Sequence, residues 1–140
     1  MVGLRVVRGS VDDRGIGELL YEAIGGERSR LTAALVRYRD DRRTELLVAT
    51  EAGKSVGVMG FRVRDDNITL LHIATAAGRR RDGIGRLLVN ELRARGLAVV
   101  AETDAESVGF YRGTGFTVES LGEKYPGVER FRICLAADPG

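Results

Sequence analysis

The most chemically suggestive stretch of the sequence is a run of arginines that leads into a glycine-rich turn. Three arginines at residues 79–81 are followed by Asp82 and then by Gly83, Ile84 and Gly85. Gly83 and Gly85 would let the backbone turn sharply and would leave no side chain over the free amides that open the next helix. Helix N-termini attract anions, and the arginines add positive charge. The stretch therefore predicts an anion site of the kind that a pyrophosphate needs.

Two common glycine motifs do not explain this turn. Gly78 and Gly83 have the separation of the two glycines of a P-loop, but Ile84 and Gly85 stand where that motif requires Lys and Ser or Thr. The third glycine of the dinucleotide fingerprint is missing as well. A plain turn with a solvated run of charge remains the alternative. The amphipathic helix after the turn favours the anion site.

Three other polar residues could take part in chemistry. Glu102 ends an apolar run with the character of a buried strand, at the end where clefts form in such sheets. It is either a solvated strand end or a base that binds an ammonium group and takes its proton. Tyr111 lies three residues after Val108 on one helix face, a spacing typical of packing. His72, in an apolar strand, has the pattern of a core histidine.

Alternating strands and helices surround these residues. Strands are predicted at residues 4–9, 44–50, 55–64, 68–75, 97–102, 116–121 and 128–135. Helices are predicted at residues 11–24, 29–38, from the glycine turn to residue 96, and at 104–113. Residues 103–106, Thr-Asp-Ala-Glu, match a capping box, which indicates structural roles for Asp104 and Glu106. The order predicts an α+β fold with a mixed sheet between helices.

Composition limits the class of protein. A chain of 140 residues suits one domain with its own core. The net charge of +2, from 22 basic and 20 acidic residues, is too small to indicate nucleic-acid binding by the whole chain. The single cysteine, Cys134, excludes an internal disulfide and a multi-cysteine metal site, and the single histidine disfavours a zinc site. No segment has the apolar length of a signal peptide or of a membrane span, so a cytoplasmic protein is expected.

Two motifs together resemble the GNAT superfamily of N-acetyltransferases. Arg80, Gly83 and Gly85 form an Arg-x-x-Gly-x-Gly turn, and residues 109–116, Gly-Phe-Tyr-Arg-Gly-Thr-Gly-Phe, follow it. Each motif alone is loose, whereas the ordered pair is specific. Because the order of the predicted elements is also that of the family, the resemblance covers the whole chain. It implies a single GNAT domain over residues 1–140, with a mostly antiparallel sheet of about seven strands and about four helices.

The resemblance also implies a cofactor and the residues that bind it. In this family the arginine-glycine turn holds the pyrophosphate of acetyl-CoA, and the preceding strand pairs with the pantetheine arm. The implied binding residues are Ile73, Ala74 and Thr75 along the arm, and Arg80, Arg81, Asp82, Gly83, Ile84, Gly85 and Arg86 around the phosphates. The family often has an aliphatic residue at position 75 and a proline at position 77. Asp82 also departs from the pattern, and its carboxylate must point away from the phosphates.

The catalytic roles follow from the needs of acetyl transfer to an amine. The reaction needs a neutral amine, a stabilised oxyanion and preferably an acid for the leaving thiolate. Backbone amides near Thr75 could stabilise the oxyanion. The family commonly has a tyrosine at the CoA sulfur, which favours Tyr111 as the acid over a purely packing role. Glu102 is the candidate base.

These observations predict an acetyl-CoA-dependent N-acetyltransferase that acts directly on a primary amine of a small molecule or peptide, without a metal. A non-catalytic acyl-CoA sensor, a transferase with a succinyl or longer acyl donor, and a nucleic-acid binder that uses the arginines are the alternatives. The sequence identifies neither the acceptor nor the oligomeric state, for which a homodimer is one option. The first two helices and residues 122–127 are expected to shape the acceptor pocket.

Overall fold

The computed structural model describes residues 3–79 and 82–137 of the chain. Strands β1 to β7 are Arg5–Gly9, Thr44–Glu51, Lys54–Val63, Asn67–Thr75, Ala98–Asp104, Thr117–Tyr125 and Val128–Leu135. Helices α1 to α4 are Ile16–Ala23, Arg28–Asp40, Ile84–Arg93 and Val108–Gly113. None of the helices in this described part is long and apolar enough to cross a membrane.

The strands form one seven-stranded sheet in the order β1-β2-β3-β4-β5-β7-β6. Neighbouring strands run antiparallel except β4 and β5, which are parallel. The predicted α+β fold, with a mostly antiparallel mixed sheet and four helices, is confirmed.

The helices cover both faces of the sheet. Successive residues of β2 point to opposite faces, as the pleat requires. Leu47 belongs to a buried cluster that includes Leu88 of α3 and Tyr111 of α4, whereas Val48 belongs to a second cluster with Leu20 of α1. Helices α3 and α4 therefore pack on one face, and α1 packs with α2 on the other.

Strands β4 and β5 separate soon after they begin. They pair only at Asn67 with Ala98, Ile68 with Val99 and Thr69 with Val100. Beyond these three pairs the two strands diverge, and a crevice opens in the middle of the sheet. The second half of β4 keeps its antiparallel partner β3, so only the side that faces β5 is open.

A β-bulge in β4 changes which face its residues present. Gly60 pairs with His72 and Phe61 pairs with Leu70, so Leu71 is an extra residue in β4. Leu70 and Ile73, three residues apart, consequently pack on the same cluster beside α3. Without the bulge His72 would share the face of Leu70. With it, His72 faces α1 and α2.

Two predicted helix starts were wrong, both because side chains stabilise turns there. Helix α1 begins at Ile16 rather than at residue 11, since Asp13 Oδ2 accepts a hydrogen bond from the Ser10 amide (2.8 Å) in the preceding turn. Helix α4 begins at Val108, and the capping box is wrong. Asp104 ends β5, and its Oδ1 accepts from the Ser107 amide at 2.9 Å.

Candidate functional site

The glycine turn opens helix α3 as predicted, but its two glycines have different roles. Gly83 has a left-handed backbone with φ +80°, and its carbonyl accepts the first helical hydrogen bond, from Leu87 at 2.9 Å. The amides of residues 84–86 precede that bond and have no acceptor within the helix. Gly85 lies inside α3 without a positive φ, so the predicted backbone reason for Gly85 is wrong. Arg80 and Arg81 lie outside the described residues.

The carboxylate of Asp82, just before the helix start, is bound by Arg79. Arg79 Nε donates to Asp82 Oδ2 at 2.7 Å, and Arg79 Nη1 donates to Glu51 Oε1 at 2.7 Å. The hydrogen bond to Glu51, and to a smaller extent the one to Asp82, raise the pKa of Arg79 above its ordinary value. The pair ties the turn to the end of β2. Arg79 therefore has a structural role in this turn, although its side chain also lines the adjacent cavity.

A large cavity lies where β4, the start of α3 and α4 meet, with a volume of about 860 Å³. Ligand pockets in proteins commonly have roughly 300–1,000 Å³. The predicted binding residues that line it are Ile73, Ala74, Thr75, Gly83, Ile84, Gly85 and Arg86. Arg86 also donates from Nη2 to the carbonyl of Gly113 at 2.8 Å, which connects α3 to the end of α4.

Phe110 is a cavity residue that the sequence analysis missed. A Cβ atom on Gly85 would lie 2.8 Å from Cε1 and Cζ of Phe110, so the ring rests directly on the glycine. Phe110 is 40% exposed although it is large and apolar. Gly85 is thus required by the close approach of an aromatic ring at the helix start.

A smaller cavity of about 200 Å³ occupies the crevice between β4 and β5. Its walls include residues 70–73 and 101–104, together with Arg130. Ile73, Ser107 and Tyr111 line this cavity and the large one alike. The two cavities therefore meet beside Tyr111.

Tyr111 packs in the core and also faces the cavities. It is only 7% exposed and makes edge contacts with Phe110 and Phe116, with ring centroids 5.1 and 5.3 Å away. Burial, aided by the negative charge of Asp104, raises the pKa of Tyr111 to about 12. Its hydroxyl makes no hydrogen bond to another of the described residues. A neutral hydroxyl is thus available to a molecule in the cavities.

Glu102 lies on β5 in the wall of the smaller cavity, which His72 of β4 also lines. Its Oε1 is 3.5 Å from Nζ of Lys124, near the tip of the β6-β7 hairpin. Residues 122–127, expected to shape the acceptor pocket, thus reach the candidate base through Lys124. Among the residues at 3–79 and 82–137, no group of three or more His, Cys, Asp or Glu side chains is placed to hold a metal ion.

His72 has a partner that the sequence did not indicate. Tyr38 Oη and His72 Nδ1 are 2.6 Å apart, and the rings meet edge to face. Tyr38 was predicted only as the last residue of a helix. Its contact spans 34 positions in the chain and had no local signal.

Comparison with known proteins identifies the class to which this fold and site belong. The family model described as the acetyltransferase (GNAT) domain matches residues 42–118, more than half of the chain. The chain therefore belongs to the GNAT acetyltransferase family. No curated protein sequence matches it significantly.

Solved structures of this family share the fold at low sequence identity. A protein assigned to the GNAT family from Desulfovibrio desulfuricans is 20% identical, with a TM-score of 0.77 over 97% of this chain and 100% of the other. The ribosomal-protein-S18-alanine N-acetyltransferase of Escherichia coli is 18% identical, with a TM-score of 0.72 over 99% and 96%. A GNAT acetyltransferase from Elizabethkingia anophelis, solved with acetyl-CoA bound, is 16% identical, with a TM-score of 0.72 over 95% and 97%.

Proposed function

We propose that the chain is a cytoplasmic, single-domain N-acetyltransferase that moves the acetyl group of acetyl-CoA directly to a primary amine. The observation that carries this proposal is the meeting of two cavities beside Tyr111. The larger cavity has room for a long donor, and the smaller one for an acceptor that enters from the other side of the sheet. The reacting atoms would meet between them.

The donor site uses backbone groups more than side chains. The free amides at the start of α3 would bind the pyrophosphate, and Arg86 in the cavity wall adds a positive charge. The open side of β4 at Ile73, Ala74 and Thr75 would hydrogen-bond to the amide groups of the pantetheine arm. The positive charge of Arg79, which binds the Asp82 carboxylate, would offset the repulsion between Asp82 and the phosphates.

Two side chains would carry out the proton transfers that the acetyl transfer needs. Glu102 would take a proton from the ammonium group, and the free amine would then attack the thioester carbonyl. As the nitrogen–carbon bond forms and the carbon–sulfur bond breaks, Tyr111 would donate its proton to the leaving sulfur, and the second proton that the nitrogen loses would return to the tyrosinate. Glu102 would then release its proton to solvent. Amides near Thr75 would stabilise the oxyanion between these steps. The products are an acetamide and the CoA thiol.

A two-part experiment tests this proposal. Acetyl-CoA should raise the melting temperature, because a ligand that binds only the native state stabilises it by about 2.7 kcal/mol at a hundredfold excess over Kd. A panel of amino acids, polyamines, aminoglycosides and peptides should then include acceptors that cause release of CoA thiol. Succinyl-CoA, offered in parallel, tests donor choice.

Each outcome separates one alternative from the proposal. A thermal shift without thiol release for any amine would indicate an acyl-CoA sensor. Faster release with succinyl-CoA than with acetyl-CoA would change the donor assignment. If neither donor changes the melting temperature, the cavity at the start of α3 is not a CoA site.

A further inference from the structure

The contact between Tyr38 and His72 joins the acceptor side of the crevice to helix α2. Tyr38 Oη lies 2.6 Å from His72 Nδ1. His72 in turn lines the smaller cavity together with Glu102, Asp104 and Arg130. Nδ1 is occupied by the tyrosine, so Nε2 is the ring nitrogen left for a molecule in that cavity.

Two features of the sheet are needed for this contact. The extra residue Leu71 turns His72 toward α2. Gly60, the strand partner of His72, leaves space for Tyr38, since a Cβ atom on Gly60 would overlap the hydroxyl and ring of Tyr38. A bulge and a glycine thus lie at the same point of the β3-β4 pair, and both serve the same side-chain pair.

Both side chains are neutral near pH 7. Burial raises the pKa of Tyr38 above its ordinary value, although the charge of Arg37 acts in the opposite direction. Burial, assisted by Arg37, lowers the pKa of His72 below its ordinary value. A neutral imidazole has one N–H donor and one acceptor nitrogen, and the hydrogen-bond network decides which is which.

The network favours one tautomer. The hydroxyl of half-buried Tyr38 has one protein acceptor for its proton, since Nδ1 of His72 is the one acceptor that Tyr38 Oη contacts within residues 3–79 and 82–137. If Tyr38 donates, Nδ1 accepts and the ring proton resides on Nε2. In the opposite tautomer the tyrosine proton would have no acceptor among the described side chains and would depend on solvent.

We propose that Tyr38 is a positioning residue that holds His72 as the Nε2–H tautomer, so that His72 gives the acceptor pocket a hydrogen-bond donor rather than a base. This inference deepens the proposed function. The role of Nε2–H as a hydrogen-bond donor to the amine substrate rests on that function. The partner of Nε2–H is an oxygen next to the acceptor's amine. Amino-acid amides, peptide N-termini and amino alcohols carry such an oxygen, whereas simple alkylamines do not.

The tautomer can be measured without a substrate. His72 is the one histidine of the chain, so the imidazole nitrogen-15 signals of the labelled protein belong to it alone. We expect a protonated Nε2 and an unprotonated Nδ1 at neutral pH. In Tyr38→Phe the proton should distribute over both nitrogens. Tyr125→Phe, at a tyrosine that is 70% exposed, is the matched control and should leave the signals unchanged.

A protonated Nδ1 with a free Nε2 in the unaltered protein would overturn the proposal. That result needs no variant, so it stands even if Tyr38→Phe fails to fold. The measurement is also independent of turnover. A wrong tautomer assignment is therefore distinguishable from an absence of the proposed acetyltransferase activity.

Steady-state kinetics then test whether Nε2–H of His72 binds the amine substrate. Gln at position 72 keeps an N–H group near the position of Nε2 but cannot take a proton, and Ala removes both properties. In His72→Ala the KM for an amino-acid amide should rise roughly fivefold to tenfold, the effect of one hydrogen bond. In His72→Gln most of the affinity should remain. The KM for acetyl-CoA should not change in either variant.

A matched alkylamine without the neighbouring oxygen provides the second comparison. Its KM should be the same in His72→Ala as in the unaltered protein. Equal and large losses of kcat in His72→Gln and His72→Ala, for both amines, would mean that His72 moves a proton. That outcome would overturn the assignment of His72 as a donor.

Discussion

A tyrosine can fill a core with its ring and present its hydroxyl to a ligand, and Tyr111 is placed to do both. The ring contacts Phe110 and Phe116, whereas the hydroxyl makes no hydrogen bond within the described residues. Packing and catalysis therefore depend on different atoms of one side chain. A substitution that removes only the hydroxyl separates the two roles.

Tyr111→Phe should lower kcat while the fold and acetyl-CoA binding are kept. Acid catalysis contributes on the order of 100-fold or more, and the low end or less is expected here because a thiol with a pKa of about 8.5 is a fair leaving group. Since burial raises the pKa of Tyr111 to about 12, the acid stays protonated throughout an assay from pH 7 to 10. Initial rates with the best amine measure the effect. Full turnover would show that the tyrosine only packs.

Glu102→Gln should lower turnover most at low pH, where the amine is protonated. The loss should be partly relieved as pH rises and free amine accumulates, with acetyl-CoA binding unchanged. Glu119→Gln is the matched control. Glu102 and Glu119 are both strand partners of Arg132, but only Glu102 lines the crevice. Rate profiles against pH for the three proteins test this.

Profiles of equal height and shape for Glu102→Gln and the unaltered protein would make Glu102 a strand end that binds Lys124. A base would then have to be sought elsewhere, such as a water held by backbone carbonyls. A loss in Glu119→Gln as large as in Glu102→Gln would point to the general charge of this face of the sheet.

At the scale of elements, the start of α3 depends on the absence of a side chain at Gly85. Gly85→Val should abolish the rise in melting temperature that acetyl-CoA causes, because the branched side chain would enter the cavity and displace Phe110. The partly exposed Phe110 can move, so the protein should still fold. Gly17→Val in α1 is the control, since a Cβ there meets no atom within 4 Å. An unchanged ligand-induced shift in folded Gly85→Val would contradict the cofactor site.

Sequence patterns predicted the elements well where local residue types determine the backbone, as in an alternating strand or at a glycine that ends a helix. Strand β7 has the predicted bounds, residues 128–135, because polar and apolar residues alternate there. The pair Gly25-Gly26 ends α1 with φ values of +85° and +79°, as expected. Patterns failed where a side chain forms a turn, as Asp13 and Asp104 do.

Only part of the candidate site could be predicted from the sequence. The glycine turn was indicated by its own residues, whereas Tyr111 was favoured as the acid only because a resemblance supplied its context. The pairing of Arg79 with Glu51 and the approach of Phe110 to Gly85 join separate elements and have no local pattern. The bulge at Leu71 moves His72 to the other face, which periodicity alone predicts wrongly.

At the scale of the molecule, α3 stabilises the face of the sheet that contains both its own N-terminus and Tyr111. Leu88, at 0% exposure, lies in the larger cluster, so Leu88→Ala should lower the free energy of unfolding by about 2–5 kcal/mol through lost burial and a new cavity. Val36→Ala, at 48% exposure, should have little effect. Denaturant titration should show a lower midpoint with an unchanged slope. A loss as small as that of Val36→Ala would mean that the cluster does not limit stability.

The separation of β4 from β5 has a consequence for solubility. From Leu70 to Thr75 the open side of β4 carries unpaired backbone groups and an apolar sequence without Asp, Glu, Lys or Arg. On the outside of a sheet such an edge would invite pairing with other chains and aggregation. Here the open side belongs to an inner strand and faces β5 across the crevice, so it does not lie on the outer border of the sheet. We expect this position to disfavour pairing with strands of other chains while it leaves the backbone groups of β4 open to the narrow pantetheine arm of the proposed donor.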